Sequence, residues 1–229
     1  MTRYTIHHRT HYDYGATVDL SYHLLRLTPP ETEHQSLLDR RLDISPTPAA
    51  IRSMSDHFGN RVEWITLEAI HEALTVEQEV TVEVRGRGVD PNVSCPAWEE
   101  IRASVSGDGF PAQPIEAEYA YTSPYAVPVP SVVAYASMSF AGYLRTYPPA
   151  GGTELRGADA THAWVSVWCG PDLGWIETDP TNDMLVEDEH IVLAYGRDFG
   201  DISPLRGVIL GGGDHEPQVE VTVTPLPEA

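Results

Sequence analysis

Cysteine is scarce in this sequence: Cys95 and Cys169 are the two thiols in 229 residues. Two thiols cannot build a Cys-only zinc site, and a lone disulfide is not expected in a reducing compartment. Long apolar runs are missing too. No stretch reaches the roughly 18 residues a membrane-spanning helix needs. The opening residues, MTRYTIHHRTHYDY, contain no apolar h-region, so no secretory signal is read and the cytoplasm is the expected location. Bases are few: 14 against 34 acids, a formal net charge of −20. Such a surface repels polyanions, which argues against nucleic acid and anionic membranes as partners. The ordinary role of that charge is solubility. No internal repeat is visible.

What remains is enough to fold, since hydrophobic residues make up 41% of the chain and disorder is excluded for the whole. The ten histidines are scattered. His7 and His8 are adjacent, so on a strand they point to opposite faces and cannot chelate one metal. No metal and no cofactor are expected.

Period-2 patterning dominates the first third. Residues 1–14 read as a strand broken at Gly15, and Leu20 to Thr28 as a second, stopped by Pro29 and Pro30. Leu37 to Ile44 fits helix or strand. Gly59-Asn60 marks a turn, Arg61 to Leu67 alternates, and Thr75 to Val84 is the cleanest strand pattern. Residues 1–88 are thus expected to form an antiparallel β-sandwich-like domain. Residues 89–130, rich in Gly, Pro, Ser and acids, read as a loop-rich linker. Residues 131–229 form a second unit. In it Ser131 caps a short helix to about Ser139, Gly142 to Thr146 is a strand, and Ala163 to Trp168 pairs with Trp175 to Thr178 around a GPDLG turn. Ile191 to Tyr195, Gly207 to Leu210 and Glu220 to Thr224 are further strands. The fold class is α+β, mostly β.

The hairpin carries the chemistry. If Trp168 pairs with Gly174, His162 lands opposite Pro180, and a one-residue shift puts it opposite Asp179. Either register makes imidazole and carboxylate cross-strand neighbours. An Asp beside a His fixes the imidazole tautomer and stabilises its protonated form, which is the orienting half of a nucleophilic triad. A surface His–Asp contact would need only the same spacing.

The flanking string GADATHAWVSVWCGPDLGWIETDPTND resembles the core signature of the bacterial transglutaminase-like family, a His-Ala-Trp strand followed by a Gly-Trp strand ending in Asp-Pro-Thr-Asn. Residues 1–88 resemble the β domain that precedes the core in bacterial members, and AGYLRTYPP and HIVLAYGRDFGDISPLRGVILGGG resemble its later segments. The resemblance implies a papain-like core with a Cys-His-Asp triad for acyl transfer or amide hydrolysis on protein or peptide substrates. It assigns His162 as base and Asp179 as its orienter.

One part of the pattern is absent. In the family a run of helices precedes the GYLRT-like strand, and one of them starts at the nucleophilic Cys, usually in a Gly-x-Cys-x-Asp/Glu context. Here Ser131 to Phe140 leads straight into Ala141-Gly142-Tyr143 with no Cys between. A few dozen residues are missing, with the join near Phe140, so the papain-like core is expected to be truncated. Cys169 lies seven residues past His162 along one strand, roughly 23 Å at about 3.3 Å per residue, beyond the reach of a nucleophile–base pair. Cys95, in DPNVSCPAW, has no expected helix start behind it, since Pro96 would occupy the first helical position. Ser137 and Ser139 lack an oxyanion-hole context. Arg197, Asp198, Asp201 and Arg206 read as a salt-bridged brace, or as part of a cleft lining. Trp164, Trp168 and Trp175 alternate on the hairpin; Trp164 and Trp168 share one strand face and read as core rather than as a substrate-stacking platform.

The expected function is therefore that of a transglutaminase-like protein without its nucleophile, inactive in the family chemistry, with a protein or peptide partner. The inner face carrying Val165, Val167 and Ile176 is expected to be exposed and to favour self-association. Two other readings stand beside it: an active cysteine peptidase or acyltransferase using an unexpected thiol, and a non-catalytic protein-binding scaffold.

Overall fold

The spine of the molecule is one 24-residue strand, β1 (Thr2–Leu25). In the computed structural model, which describes residues 1–90, 94–106, 115–120, 125, 137–145 and 160–227, Gly15 does not end this strand. It sits in a bulge where the register shifts between Asp13 and Val18, and Ala16 N–H donates to the Gly212 carbonyl (3.1 Å). The buried positions are even-numbered through Tyr4, Ile6, His8, Thr10, Tyr14 and Val18 and odd-numbered from Ser21 through His23 and Leu25, the switch falling at a second register shift between Val18 and Leu20. That change of parity is what extra residues in a strand produce, together with a bend.

The bend lets one strand serve two halves of a curled sheet. The first half of β1 lies between β5 (His71–Val84), itself flanked by β2 (Gln35–Ser45), and β12 (Pro217–Pro225). The second half lies between β4 (Arg61–Leu67), flanked by β3 (Ala50–Ser55), and β11 (Leu205–Gly211). The halves meet across an apolar core that includes Tyr4, Ile6, Leu25, Ile65, Val80 and Val82. Arg40 of β2 reaches the buried Glu63 of β4 at 3.0 Å, and Gln78 of β5 donates to the Leu27 carbonyl. Leu37 to Ile44, open between helix and strand in the sequence, is strand.

A second antiparallel sheet has the order β10-β6-β7-β8-β9, built from β6 (Ser137–Leu144), β7 (His162–Trp168), β8 (Trp175–Asp179), β9 (Met184–Leu185) and β10 (His190–Gly196). Its edge strand β10 is capped by side chains of the first sheet. The Gln35 amide accepts from Val192 N–H (2.8 Å) and donates to Val192 C=O (3.0 Å). Asn60 does the same for Tyr195 (3.0 and 2.8 Å). Two buried amides thus stand in for a neighbouring strand and satisfy backbone groups that would otherwise be orphaned. Tyr143, Ile191 and Leu193 complete the joint by entering the core of the first sheet.

Three expectations change. Ser137–Leu144 is strand, so the helix expected from Ser131 does not extend to Ser139; residues 131–136 lie outside the described set. The segment expected to be only linker contains a helix, α1 (Trp98–Ser106), and a 3-10 turn over Ile115–Ala120. The last two strands, β11 and β12, pair with β1, so the division read at residues 88 and 131 separates the sheets only as far as β10. A short helix, α2 (Phe199–Ile202), leads into β11. Among the described residues no helix is long and apolar enough to cross a membrane.

Candidate functional site

The register of the hairpin differs from both expected ones. Trp168 pairs with Trp175 and Val165 with Thr178, which places Trp164 across from Asp179 and His162 on the diagonal. Side-chain parity still puts His162, Trp164 and Asp179 on one face. The outcome for the two candidate residues is contact: His162 Nε2 lies 2.9 Å from Asp179 Oδ2, with Asp179 fully buried and His162 nearly so.

Asp179 is the hub of the site. Its Oδ2 also accepts from Asn182 Nδ2 (2.6 Å) and from His190 Nε2 (3.1 Å). Its Oδ1 accepts from the backbone N–H groups of Thr181 (3.0 Å) and Asn182 (3.3 Å). This explains the local sequence: Pro180 turns the chain out of β8, and the next two amides fold back on the carboxylate as an Asx-turn. Burial by itself would raise the Asp179 pKa, but the bonds from Asn182, His190 and His162 outweigh it and hold the carboxyl below its ordinary value. An ionised Asp179 accepts at Oδ2, so His162 carries its proton on Nε2. Nδ1 is then the basic nitrogen, and it has no hydrogen-bond partner among the described residues.

Two members of this network, His190 and Asn182, were not singled out in the sequence. Asn182 stands in the DPTND string and was legible there; His190 lies at the start of β10, eleven residues from Asp179, and only the sheet order brings it close. Trp164 walls the site as core. It stacks on Phe140 (centroids 5.7 Å apart, 6° between planes) and meets His190 edge-on at 5.1 Å. Its indole N–H donates to Glu177 (2.9 Å), which is ion-paired with Arg87 at 2.8 Å. Gly142 lies between β7 and β10, paired with His162 and Val192. A Cβ there would be 2.5 Å from Trp164 Cη2 and 2.0 Å from the Ile191 carbonyl oxygen, so the glycine is what allows the ring to lie across β6.

The thiols lie elsewhere. Cys169 follows β7 at the end opposite His162, and Cys95 Sγ is 4.0 Å from the Cys169 carbonyl. At about 3.3 Å per strand residue both are on the order of 20 Å from His162. Cys95 does have a helix start behind it, contrary to the expectation built on Pro96. The helix begins later, with Ala97 C=O accepting from Glu100 and Ile101 N–H. Burial, followed by the hydrogen bond and charge of Cys95, pushes the Cys169 thiol up to about 12. Ser139 Oγ donates to the Arg197 carbonyl (3.3 Å), and the side chain of Ser137 lies outside the described set. Arg197 and Asp201 pair at 2.9 Å, Asp198 caps α2 through Gly200 N–H (2.6 Å), and Arg206 donates to Gly200 C=O (3.1 Å), which is a brace. Val165, Val167 and Ile176 are half-buried rather than open.

Buried histidines make the fold acid-sensitive. Burial lowers His8, His23 and His190 to about 4; the charge of His7 adds to this for His8 and that of His71 for His23, while Asp179 only partly offsets it for His190. The unfolded chain binds a proton at each near the ordinary 6.5, and the native state does not until about 4. Stability is therefore complete above pH 6.5 and falls through the window down to 4. Each pH unit of separation is worth about 1.4 kcal/mol per histidine. Urea unfolding at pH 7, 6 and 5 is expected to show a loss on the order of 3 kcal/mol or more by pH 5. An unchanged midpoint would contradict this assignment.

Residues 4–83 match the family described as the bacterial transglutaminase-like N-terminal region. An uncharacterized protein of Mycobacterium tuberculosis is 29% identical over 292 residues, covering 98% of this chain and 93% of the relative. One from Mycobacterium leprae is 26% identical over 285 residues, covering 99% of this chain and all of the relative. A 229-residue chain cannot fill a 292-position alignment, so at least 63 positions (292 less 229) have no counterpart here. The solved structure of a candidate cysteine protease from Cytophaga hutchinsonii superposes with a TM-score of 0.59 at 12% identity, covering all of this chain and 92% of that one.

Proposed function

We propose that the chain is a member of the bacterial transglutaminase-like family, whose N-terminal region its residues 4–83 match, and that its second sheet is the β half of a truncated papain-like core that holds a base and its orienter but no nucleophile. His162 is the base, acting through Nδ1, and Asp179 orients it. The acyl-enzyme of this reaction class forms on a thiolate, which an imidazole and a carboxylate cannot replace. The observation that carries the reading is the position of the thiols: both lie at the far end of β7 from His162. The unmatched positions in the mycobacterial alignment support an internal loss. The family chemistry, acyl transfer or amide hydrolysis on a protein or peptide, is thus silent in this chain, and what persists is a fold able to engage such a partner. Self-association through the half-buried face of Val165, Val167 and Ile176 and a cytoplasmic location belong to the same reading.

Thiol labelling separates this from the reading in which an unexpected thiol is active. A catalytic thiolate, held by a base, reacts with iodoacetamide at low pH. We expect neither cysteine of the folded chain to label above background in an hour at pH 5. Rapid labelling of Cys95 at pH 5 that is lost in His162→Ala would overturn the proposal.

A further inference from the structure

The two cysteines are 74 residues apart in sequence, yet they meet. Cys95 Sγ lies 4.0 Å from the Cys169 carbonyl oxygen, its hydrogen-bond acceptor. They differ in access: Cys95 is exposed and Cys169 is buried. The Cys169 side of the contact is rigid. Cys169 N–H donates to Gly174 C=O (2.9 Å) and Gly174 N–H to Gly170 C=O (2.7 Å), closing the β7–β8 turn. The Cys95 side lies close over that turn: a Cβ added at Gly170 would be 3.0 Å from Ile101 Cδ1 of α1 and 3.9 Å from Pro96 Cγ. With two cysteines in 229 residues, a contact between them is not a consequence of abundance.

We infer that Cys95 and Cys169 are an oxidation-responsive dithiol that closes to a disulfide and fastens the entry to α1 onto the β7–β8 turn. The oxidant is a peroxide. The Cys95 thiolate attacks one peroxide oxygen, the O–O bond breaks, and the departing hydroxide takes the thiol proton as water, leaving Cys95 as a sulfenic acid. Cys169 then attacks the Cys95 sulfur, the S–O bond breaks, and hydroxide leaves with the Cys169 proton as a second water. Two thiols lose two protons and two electrons, and hydrogen peroxide becomes two waters. The buried partner resolves and the exposed one senses, because the oxidant reaches Cys95 first. The hairpin carrying His162 and Asp179 is thereby tied to the segment that follows β5, independently of any catalytic role for those residues.

The test treats the full chain with hydrogen peroxide, then with iodoacetamide and trypsin. We expect a mass 2 Da below that of the reduced chain and a cross-linked pair of peptides, residues 88–102 joined to 157–197, both reversed by dithiothreitol. Closing a loop of this length is expected to raise Tm by roughly 5–10 °C in the oxidised form. Cys95→Ser, at an exposed site, is expected to fold normally and to lose both the cross-link and the Tm gain. Recovery of both cysteines as separate alkylated peptides, oxidation of Cys95 to the sulfinic acid alone, or Cys95–Cys95 dimers would each overturn the inference.

Discussion

Replacing Asp179 with Ala is expected to cost the fold about 3–5 kcal/mol. The carboxylate is fully buried and accepts from two imidazoles, one side-chain amide and two backbone N–H groups. Truncation leaves those donors without an acceptor, in a place water does not reach, and each orphaned group costs about 1–3 kcal/mol less whatever relaxation recovers. The same change removes the shared hydrogen-bond acceptor through which β8 holds His162 of β7 and His190 of β10. Asp179→Asn keeps the volume and the acceptor toward Thr181 and Asn182 but offers an amide to the imidazoles. It is expected to be milder in stability and to drive the His162 proton from Nε2 to Nδ1. Urea unfolding measures the first effect and imidazole nitrogen chemical shifts the second. Asp179→Ala within about 1 kcal/mol of wild type would show that the network is incidental.

Gly142→Ala is expected to cost at least as much, about 4 kcal/mol, or to prevent folding. The new methyl would fall 2.0 Å from the Ile191 carbonyl oxygen and 2.5 Å from the Trp164 ring. A backbone oxygen in a paired strand cannot rotate away, so β10 must move, and β10 is held by Gln35 and Asn60. Core overpacking of this kind has no low-energy escape. Gly174→Ala is the control: its φ is +69° and a Cβ there meets nothing within 4 Å, so it pays only left-handed strain of about 1–2 kcal/mol. Thermal unfolding of the two variants side by side checks the ordering, and equal effects would contradict it.

Much of this was readable in the residues, and what was not has identifiable causes. Thr75 to Val84 alternates strictly and is strand because one of its faces is core. His162 and Asp179 were legible because a hairpin keeps partners local in sequence; of the two expected registers one set them directly opposite, and the true register sets them on a diagonal of the same face. His190 was not legible, because it reaches Asp179 only through the order β10-β6-β7-β8. Gln35 and Asn60 look like solvated polar residues in sequence, yet each replaces a neighbouring strand for one residue of β10. Gly15 read as a strand break because a glycine in a strand pattern marks either a break or a bulge, and only the pairing with β12 and β11 on either side of it decides. Likewise α1 was passed over because Pro96 was tested as its first residue, whereas the chain enters the helix two residues later.

The most direct test of the proposal that His162 and Asp179 are a base and orienter without a nucleophile is turnover. Amine incorporation into a glutamine-containing protein, with peptide hydrolysis alongside, is measured for the wild-type chain and for His162→Ala. Both proteins are expected to remain at background in both assays, because no thiol reaches His162 Nδ1. Turnover by the wild-type chain well above background that disappears in His162→Ala would contradict the account.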